Sequence, residues 1–383
     1  MLNRREIYLG FAKGLDKSTA ASVQRHYLPL GKVGGRPAWL NPVNLPIKKQ
    51  LDCQNCNFAM PFLLQIYCPG TEDHSFHRYL YVFVCSNPDC YKGTPKQTVK
   101  VFRCQLPLKN DYTSSQKIDF ADVGEVPDPC FNSEKFKKLC AVCGCYAAKY
   151  CSKCKEAYYC SVEHQKLDWK RHDCNPKKIL PADDEVDPFK LTKENEFLFC
   201  EHAIEMDCDY AVLSDTDESD VESSDENDKE MKRAKELLDE LRKEKGNVVD
   251  ALPEMYENDD ADYDQFKRVI DRDPKQILRY DRHGKPLSAT DHVSLPMQIP
   301  NCPICKSPRT FEFQLMPYIL SVIENRGSVS PIDFATVCVY TCSKDCRIDN
   351  DGYAEEYAFK QDFEFADYSR PTNDREDEDA ENP

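Results

Sequence analysis

The sequence predicts an α+β, β-rich fold of two related lobes that form a compound domain, with a cysteine-rich insertion and a disordered acidic linker between them. Two segments carry this prediction: "CQNCNFAMPFLLQ", which begins at Cys53, and "CPICKSPRTFEFQ", which begins at Cys302. Both open with C-x-x-C, and both place Phe nine positions and Gln twelve positions after the first Cys. The apolar runs around them are typical of strands, which indicates one β-rich design used twice.

The 383 residues are enough for two or three domains, and their formal net charge is −16. A chain this acidic is a poor general ligand for nucleic acid and suits a basic protein partner. The N-terminal segment lacks the apolar run of a signal peptide, and the longest apolar run, "YLYVFVC", is too short to span a membrane. We therefore expect a cytoplasmic and nuclear protein whose 21 cysteines are reduced, and there C-x-x-C pairs indicate metal sites.

Changes in composition divide the chain into six segments. Near the N-terminus, "YLYVFVC" and "QTVKVFRCQL" are typical of strands. After the Cys/His cluster, alternate apolar positions in "EFLFCEHAIEM" predict a core strand. The run "SDTDESDVESSDENDKE" cannot bury enough apolar surface to fold. The predicted segments are an N-terminal β-rich lobe (1–135), a Cys/His cluster (140–174), a connector with a core strand (175–206), an acidic disordered linker (207–262), a C-terminal lobe (263–368) and an acidic tail (369–383).

Each lobe contains a second pair of cysteines at the end of an apolar strand, in "VFVCSNPDC" and in "VYTCSKDC". Two close pairs predict a tetrahedral zinc site, because each pair can turn two thiolates toward one ion. The alternative is four buried free thiols per lobe, since Cys packs well in cores. The predicted ligands are Cys53, Cys56, Cys85 and Cys90 in the first lobe, and Cys302, Cys305, Cys342 and Cys346 in the second.

The insertion reads "CAVCGCYAAKYCSKCKEAYYCSVEHQKLDWKRHDC" and offers eight ligands, which are enough for two tetrahedral zinc sites. Cys160 and His164 lie four positions apart at the start of a predicted helix, so both can face one ion. The eight candidate ligands are Cys140, Cys143, Cys151, Cys154, Cys160, His164, His172 and Cys174.

This spacing resembles the MYND zinc finger: C-x-x-C, seven residues, C-x-x-C, then Y-C-x-x-x-H/C-Q-x-x-x-W-x-x-H. The resemblance implies two interleaved sites, one formed by Cys140, Cys143, Cys160 and His164, the other by Cys151, Cys154, His172 and Cys174. Only one residue separates the last His from the last Cys where MYND fingers usually have three, so Cys174 must reach the ion from a non-helical turn before Pro176. The resemblance also implies proline-rich peptide binding at Gln165 and Trp169; the alternative is that Trp169 forms the small core of the finger.

Motifs for catalysis are missing from the sequence. MYND fingers also interrupt SET-domain methyltransferases, but the N-H-S-C-like segment of those enzymes is absent. The segment "PLGKVGG" lacks the upstream Gly and the following Ser or Thr of a P-loop, and there is no G-x-S-x-G. The predicted zinc sites are filled by protein ligands, which leaves no open position for Lewis-acid chemistry. We therefore predict a binding protein that is not an enzyme.

The order of motifs along the chain resembles the programmed cell death protein 2 family over nearly its whole length. "KVGGRPAWL" (32–40) comes first, and "QILRY" (276–280) and R-x-F-E-F-Q-x-M-P (309–317) follow the acidic linker. Lys306 stands where the family usually has Gly, so the turn of the second knuckle departs from the pattern.

The resemblance implies a role in small ribosomal subunit production as a dedicated chaperone, which escorts a newly made basic ribosomal protein, small-subunit ribosomal protein 2. The alternative is a nuclear adaptor that recruits corepressors through the finger and is linked to apoptosis or proliferation. In either case we expect no sequence-specific nucleic acid and no membrane among the partners.

Overall fold

The computed structural model describes residues 6–15, 31–91, 97–113, 138–172, 174, 195–209, 260–323 and 332–363. The described residues are rich in strands, as predicted: β1 (Ile7–Lys13), β2 (Gly31–Val33), β3 (Phe62–Tyr67), β4 (His77–Val84), β5 (Val99–Leu106), β6 (Lys149–Tyr150), β7 (Tyr158–Tyr159), β8 (His202–Asp209), β9 (Gln276–Tyr280), β10 (Arg309–Leu315), β11 (Thr336–Cys342) and β12 (Tyr353–Gln361). The helices are short: α1 (Lys48–Leu51), α2 (Val162–Asp168), α3 (Ala261–Arg272) and α4 (Tyr318–Ile323).

Ten strands close into one barrel in the order β1-β8-β2-β3-β4-β5-β12-β11-β10-β9, and β9 pairs with β1 to complete it. The strands of the two predicted lobes therefore belong to one continuous sheet. We name the part between residues 31 and 113 the N-terminal half and the part between residues 276 and 363 the C-terminal half. They meet where β5 pairs with β12, and β8 and β1 join them on the other side.

The predicted boundaries of the acidic linker shift at both ends. The strand β8 continues through Asp209, and α3 begins at Ala261, so residues 207–209 and 261–262 belong to regular elements. The helix starts here because the Asp260 carboxylate accepts a hydrogen bond from the Tyr263 amide at 2.8 Å, a typical N-cap. The rest of the predicted disordered linker, residues 210–259, and the acidic tail lie outside the described ranges. None of the described helices is long and apolar enough to cross a membrane.

Matching strands of the two halves share one irregularity and one side-chain contact. The ladder shifts register between Phe62 and Leu64 in β3, and between Phe311 and Phe313 in β10, at the same distance from the first knuckle Cys. The repeated glutamines also make the same contact: Gln65 Oε1 accepts the amide of Ala38 at 2.8 Å.

In the C-terminal half, Gln314 Oε1 accepts the amide of Leu287 at 2.7 Å. Each glutamine returns its side-chain N–H to the carbonyl of the same residue, at 3.4 Å for Ala38 and 3.3 Å for Leu287. We call this pair of hydrogen bonds the glutamine clamp. The residues it holds, Ala38 and Leu287, are the last residues of "GRPA" (35–38) and "GKPL" (284–287), so the likeness of the halves begins before the first C-x-x-C.

Alternation along the strands divides the apolar side chains between the barrel interior and its outer face. On β4, Leu80, Val82 and Val84 join a buried cluster with residues of β9, β10 and β11, which is the interior. The residues between them, Tyr79, Tyr81 and Phe83, pack outward against Trp39 and the finger.

The interior also buries charge where the halves meet. Arg78 of β4 donates to Glu312 of β10 at 2.7 Å, and both side chains are fully buried. Arg103 of β5 donates in the same way to Glu356 of β12 at 2.7 Å. Burial alone would raise the pKa of Glu312, but the Arg78 guanidinium outweighs burial and holds that pKa well below its usual range. The carboxylate therefore stabilises the fold above the ordinary pKa of Glu, and this contribution is lost only as pH falls through the lowered value.

We predict that Glu312→Gln lowers the free energy of unfolding by about 3 kcal/mol, because it removes one of the two carboxylates that pair with the buried Arg78 and leaves only Asp345. The matched control is Glu205→Gln, which breaks an exposed ion pair with Lys13 and is expected to change stability by less than about 1 kcal/mol. Denaturant unfolding of both variants at neutral pH measures the difference. Equal effects of the two substitutions would show that the buried pair does not hold the halves together.

Candidate metal centres

The structure brings together each of the four predicted sets of ligands. Within each set, the ligand atoms all lie within 4.8 Å of one another. The sets are Cys53, Cys56, Cys85 and Cys90; Cys140, Cys143, Cys160 and His164; Cys151, Cys154, His172 and Cys174; and Cys302, Cys305, Cys342 and Cys346. We call them the N-terminal centre, the first and second finger centres, and the C-terminal centre.

Sulfur separations in the two centres that consist of four cysteines fit a tetrahedral zinc ion. Zn–S bonds of about 2.3 Å place two sulfurs of a tetrahedron about 3.8 Å apart. In the N-terminal centre, the Sγ atoms of Cys53 and Cys90 are 3.9 Å apart and those of Cys56 and Cys85 are 3.7 Å apart. In the C-terminal centre, two such separations are 3.6 and 3.5 Å. All eight cysteines are free thiols, so the separations reflect convergence on a point and not disulfide bonds.

The finger centres have one His each and interleave as the MYND resemblance implies. In the first, the Sγ atoms of Cys143 and Cys160 are 3.7 Å apart, and His164 Nδ1 lies 3.1 Å from the sulfur of Cys160. Helix α2 places this His because Ser161, its N-cap, accepts the His164 amide at 3.1 Å.

The second finger centre includes Cys174 despite the short spacing. The Cys174 and Cys151 Sγ atoms are 3.8 Å apart, and Cys154 Sγ lies 3.4 Å from His172 Nε2. One residue between His172 and Cys174 is therefore enough for both to reach the same point.

The four C-x-x-C knuckles have one backbone geometry. The residue after the second Cys adopts a left-handed conformation in every case: Asn57 (φ 60°), Gly144 (φ 70°), Lys155 (φ 61°) and Lys306 (φ 61°). Each donates its amide to the carbonyl of the first Cys of its knuckle at 2.9 Å. Lys306 therefore adopts the conformation that Gly would favour. The turn of this knuckle is intact although Lys stands where the family usually has Gly.

Amide donors oriented by the knuckles favour thiolates. Burial opposes ionisation of Cys53, but the amides of Cys56 and Asn55 outweigh it and lower the Cys53 pKa. The amides of Cys154 and Lys153 lower the pKa of Cys151 to about 6. Burial raises the pKa of other ligands, among them Cys85 and Cys90, so the donor set and its spacing, more than the electrostatics, fit a structural zinc ion.

Residues of the N-terminal half hold the backbone of the C-terminal centre. Arg103 donates to the carbonyl of Cys346 at 3.0 Å and approaches its sulfur at 3.6 Å. Gln105 donates to the same carbonyl at 3.1 Å and to that of Asp345 at 2.9 Å. The Asp345 carboxylate pairs with Arg78 at 2.9 Å. A metal ion here would therefore fix a turn on which both halves of the barrel depend.

The finger is also held against the barrel. Trp39, which is 3% exposed, donates its indole N–H to the carbonyl of Gly144 at 2.8 Å, and Arg36 donates to the carbonyls of Ala141 and Val142. A Cβ on Gly144 would lie 2.8 Å from the Arg36 Cβ, so this close approach requires glycine. The positive φ of Gly144 favours glycine at this position too. Trp39 is therefore a core residue shared by the finger and the barrel.

The two predicted peptide-binding residues differ in their exposure. Trp169 is 59% exposed and lies against the His172 ring, with centroids 6.0 Å apart, so it does not form the core of the finger. Gln165 on α2 is partly buried. The exposed indole and the neighbouring amide remain available to a partner.

Several residues that build the centres gave no recognisable signal in the sequence. Phe197 in the connector stacks edge-on against the ligand His164 at 4.3 Å between ring centroids, where we predicted a strand. The strand begins only at His202. Lys32, the lysine of the rejected P-loop, is buried and pairs with Glu201 at 2.5 Å. The one usable signal was Arg103, a cation inside the apolar run "VKVFRCQL".

The barrel, the knuckles and the finger define a zinc-binding β-barrel protein with an integral MYND finger. Family models match three parts of the chain: the N-terminal domain of programmed cell death protein 2 over residues 6–119, its C-terminal domain over residues 260–362, and the MYND finger over residues 140–175. The chain belongs to the programmed cell death protein 2 family.

Relatives match the chain over most of its length. Mouse programmed cell death protein 2 is 33% identical over 358 residues, which cover 93% of this chain and 96% of the relative. Human programmed cell death protein 2-like is 27% identical, over 82% and 85% of the two chains. A fission yeast protein named "Probable 20S rRNA accumulation protein 4" is 25% identical, over 85% and 91%. None of these names denotes an enzyme, and no solved structure matches the chain.

We predict that the purified protein binds four zinc ions, because four sets of ligands have tetrahedral spacing. Replacing Cys302 and Cys305 together by Ser is expected to remove one ion, and the matched change at Cys53 and Cys56 is expected to remove another. Elemental analysis of the native chain and both variants gives the counts. A native count of two would leave only the finger centres metallated.

We also predict that Lys306→Asn and Lys155→Asn each raise the free energy of unfolding by roughly 0.5–1 kcal/mol. Asn tolerates the left-handed conformation better than Lys does, and Asn57 occupies the same turn position in the N-terminal centre. Thermal unfolding of the zinc-loaded variants measures the gain in stability. The control is Lys344→Asn, which changes a lysine in the same centre as Lys306. A loss of stability would mean that these lysine side chains support the knuckles.

Proposed function

We propose that this chain acts in small ribosomal subunit biogenesis as a non-catalytic chaperone for a newly made basic ribosomal protein, small-subunit ribosomal protein 2. The observation that carries the proposal is the relative whose name refers to 20S rRNA accumulation, which matches 85% of this chain. The identity of the client rests on the family resemblance in the sequence.

The charge of the chain supports a basic client. Its formal net charge of −16 repels nucleic acid but attracts a cationic protein and accelerates their encounter. A chaperone with this charge can cover the cationic surface of a ribosomal protein until rRNA competes for it.

The zinc centres support a scaffold and not a catalyst. Each has four protein ligands, which satisfy a structural zinc ion and leave no coordination position for a substrate. We infer that the two halves are related repeats, on the grounds of their shared knuckles, register shifts and glutamine clamps. Together they present one compound surface on which the client sits. We place the protein in the cytoplasm, where the client is made, and in the nucleus, where it is assembled.

One observation favours a second candidate function. Trp169 is 59% exposed beside the partly buried Gln165, which fits an adaptor that recruits corepressors by binding their proline-rich peptides. Because the finger contacts the barrel through Trp39 and Arg36, deleting the finger would uncover the barrel core. Point substitutions at the exposed residues therefore separate the two functions better than a deletion does.

We predict that affinity purification of the tagged full chain, followed by quantitative mass spectrometry, recovers one stoichiometric basic ribosomal protein. Its recovery should fall steeply with salt, because complementary charge drives the encounter. The double variant Gln165→Ala, Trp169→Ala is expected to retain this client, and native zinc content serves as the control for folding. Corepressors or histones in place of a ribosomal protein, or loss of the client in the double variant, would favour the adaptor.

A further inference from the structure

The C-terminal centre displays cations that the N-terminal centre lacks. Lys306 follows its first knuckle, Lys344 lies inside its second, and Arg347 follows the last ligand; all three are exposed. The two knuckles face each other across sulfur separations of 3.5 and 3.6 Å, so the three cations are attached to the backbone of one centre. We name these three residues the cationic knuckle face.

The N-terminal centre shows that zinc binding does not require these charges. It has the same four-thiolate ligand set, and so the same formal charge when zinc is bound. Its corresponding residues are Asn57, Asn87 and Tyr91, none of which is cationic. The cations of the C-terminal centre therefore have a purpose other than balancing the charge of the ligands.

Lys306 is the clearest case, because its backbone conformation disfavours lysine. Its φ is 61°, close to the 60° of Asn57, and Asn is far better suited to that region. The Lys306 ammonium donates to the carbonyl of Pro303 at 2.8 Å, which orients the charge over the knuckle beside Ile304, a side chain that is 44% exposed. Lys155 has the same backbone conformation in the finger, so it is the pairing of Lys306 with Lys344 and Arg347 at one centre that sets this face apart.

Acidic groups within the described ranges do not neutralise this face. Asp345, the one carboxylate inside the second knuckle, is buried and pairs with Arg78 at 2.9 Å and Arg282 at 2.8 Å. Among the described residues, none of the three cations of the cationic knuckle face forms an ion pair. The face therefore presents uncompensated positive charge on a chain whose net charge is −16.

We propose that the cationic knuckle face binds the acidic tail of this same chain, residues 374–381. That segment reads "DREDEDAE" and carries six carboxylates against one arginine. A partner of opposite charge on the same chain has a high effective concentration, in the millimolar range for a short flexible connection. A separate nucleic acid would have to approach against the overall negative charge.

The length of the chain permits this contact. Gln361, at the end of β12, pairs with Thr336, at the start of β11, and β11 leads to the ligand Cys342. Six residues of strand cover about 20 Å, so Gln361 lies about 20 Å from the centre. The 13 residues from Gln361 to Asp374 can span up to about 43 Å. The chain is therefore long enough for the acidic run to contact the face.

Two full-length variants test the contact from opposite sides. In the neutral-tail variant, Asp374, Asp377 and Asp379 become Asn, and Glu376, Glu378 and Glu381 become Gln. In the neutral-face variant, Lys306 and Lys344 become Asn, as at the corresponding N-terminal positions, and Arg347 becomes Gln. Carbodiimide, which joins Lys directly to neighbouring carboxylates, should link Lys306 or Lys344 to the tail in the native chain. High salt and either variant should abolish these links, whereas Lys155→Asn should not.

Binding in trans provides an independent measurement. A fluorescent peptide of residues 369–383 should bind the neutral-tail variant at least tenfold more tightly than the native chain, whose own tail competes. Adding the neutral-face substitutions to the neutral-tail variant should weaken peptide binding at least tenfold, with zinc content unchanged. Equal peptide affinity for the native and neutral-tail chains would overturn the proposal. The proposal would also be overturned if the face bound a uridine oligonucleotide and did not bind the peptide. Because the neutral-tail variant changes only residues outside the described ranges, the comparison of native and neutral-tail chains holds even if the neutral-face variant fails to fold.

Discussion

Two buried ion pairs require the two halves of the chain to fold as one body. Arg78 and Arg103 come from the N-terminal half, and their partners, Glu312 and Glu356, come from the C-terminal half. The N-terminal half alone could not bury Arg78 and Arg103, because an unpaired ion in an apolar interior is strongly unfavourable. The register shift in β10 lies at Glu312. The two ion pairs therefore favour the register in which the halves close into one barrel.

Local pattern was enough to predict the metal centres and many strands. Ligand spacing such as Cys302-x-x-Cys305 is a local property, because a knuckle turns both thiolates toward one point whatever surrounds it. Apolar runs likewise predicted β4, β5 and β11. Even the short interval between His172 and Cys174 could be interpreted as a ligand pair, and the two lie in one centre.

Long-range pairing could not be predicted, because nothing local to a strand specifies its neighbour. Three pairings depend on which strand edges remain unpaired after the hairpins form. They are the closure of β9 onto β1, the insertion of β8 between β1 and β2, and the seam between β5 and β12. The contact of Trp39 with Gly144 was beyond prediction for the same reason, since 105 residues separate them. The sequence shows that a tryptophan is large and apolar, but not that it anchors a finger.

The zinc centres and the barrel depend on each other through the hairpins. In each half, one C-x-x-C precedes the first strand of a hairpin and the second Cys pair follows the next strand, so one ion ties the open ends of β3 and β4, and another those of β10 and β11. In the C-terminal centre the tied turn also accepts hydrogen bonds from Arg103 and Gln105 across the seam. Zinc binding there orders the acceptors that the N-terminal half needs, and closure of the barrel in turn positions the thiolates for zinc. Metal affinity and barrel stability are therefore linked quantities at the C-terminal centre.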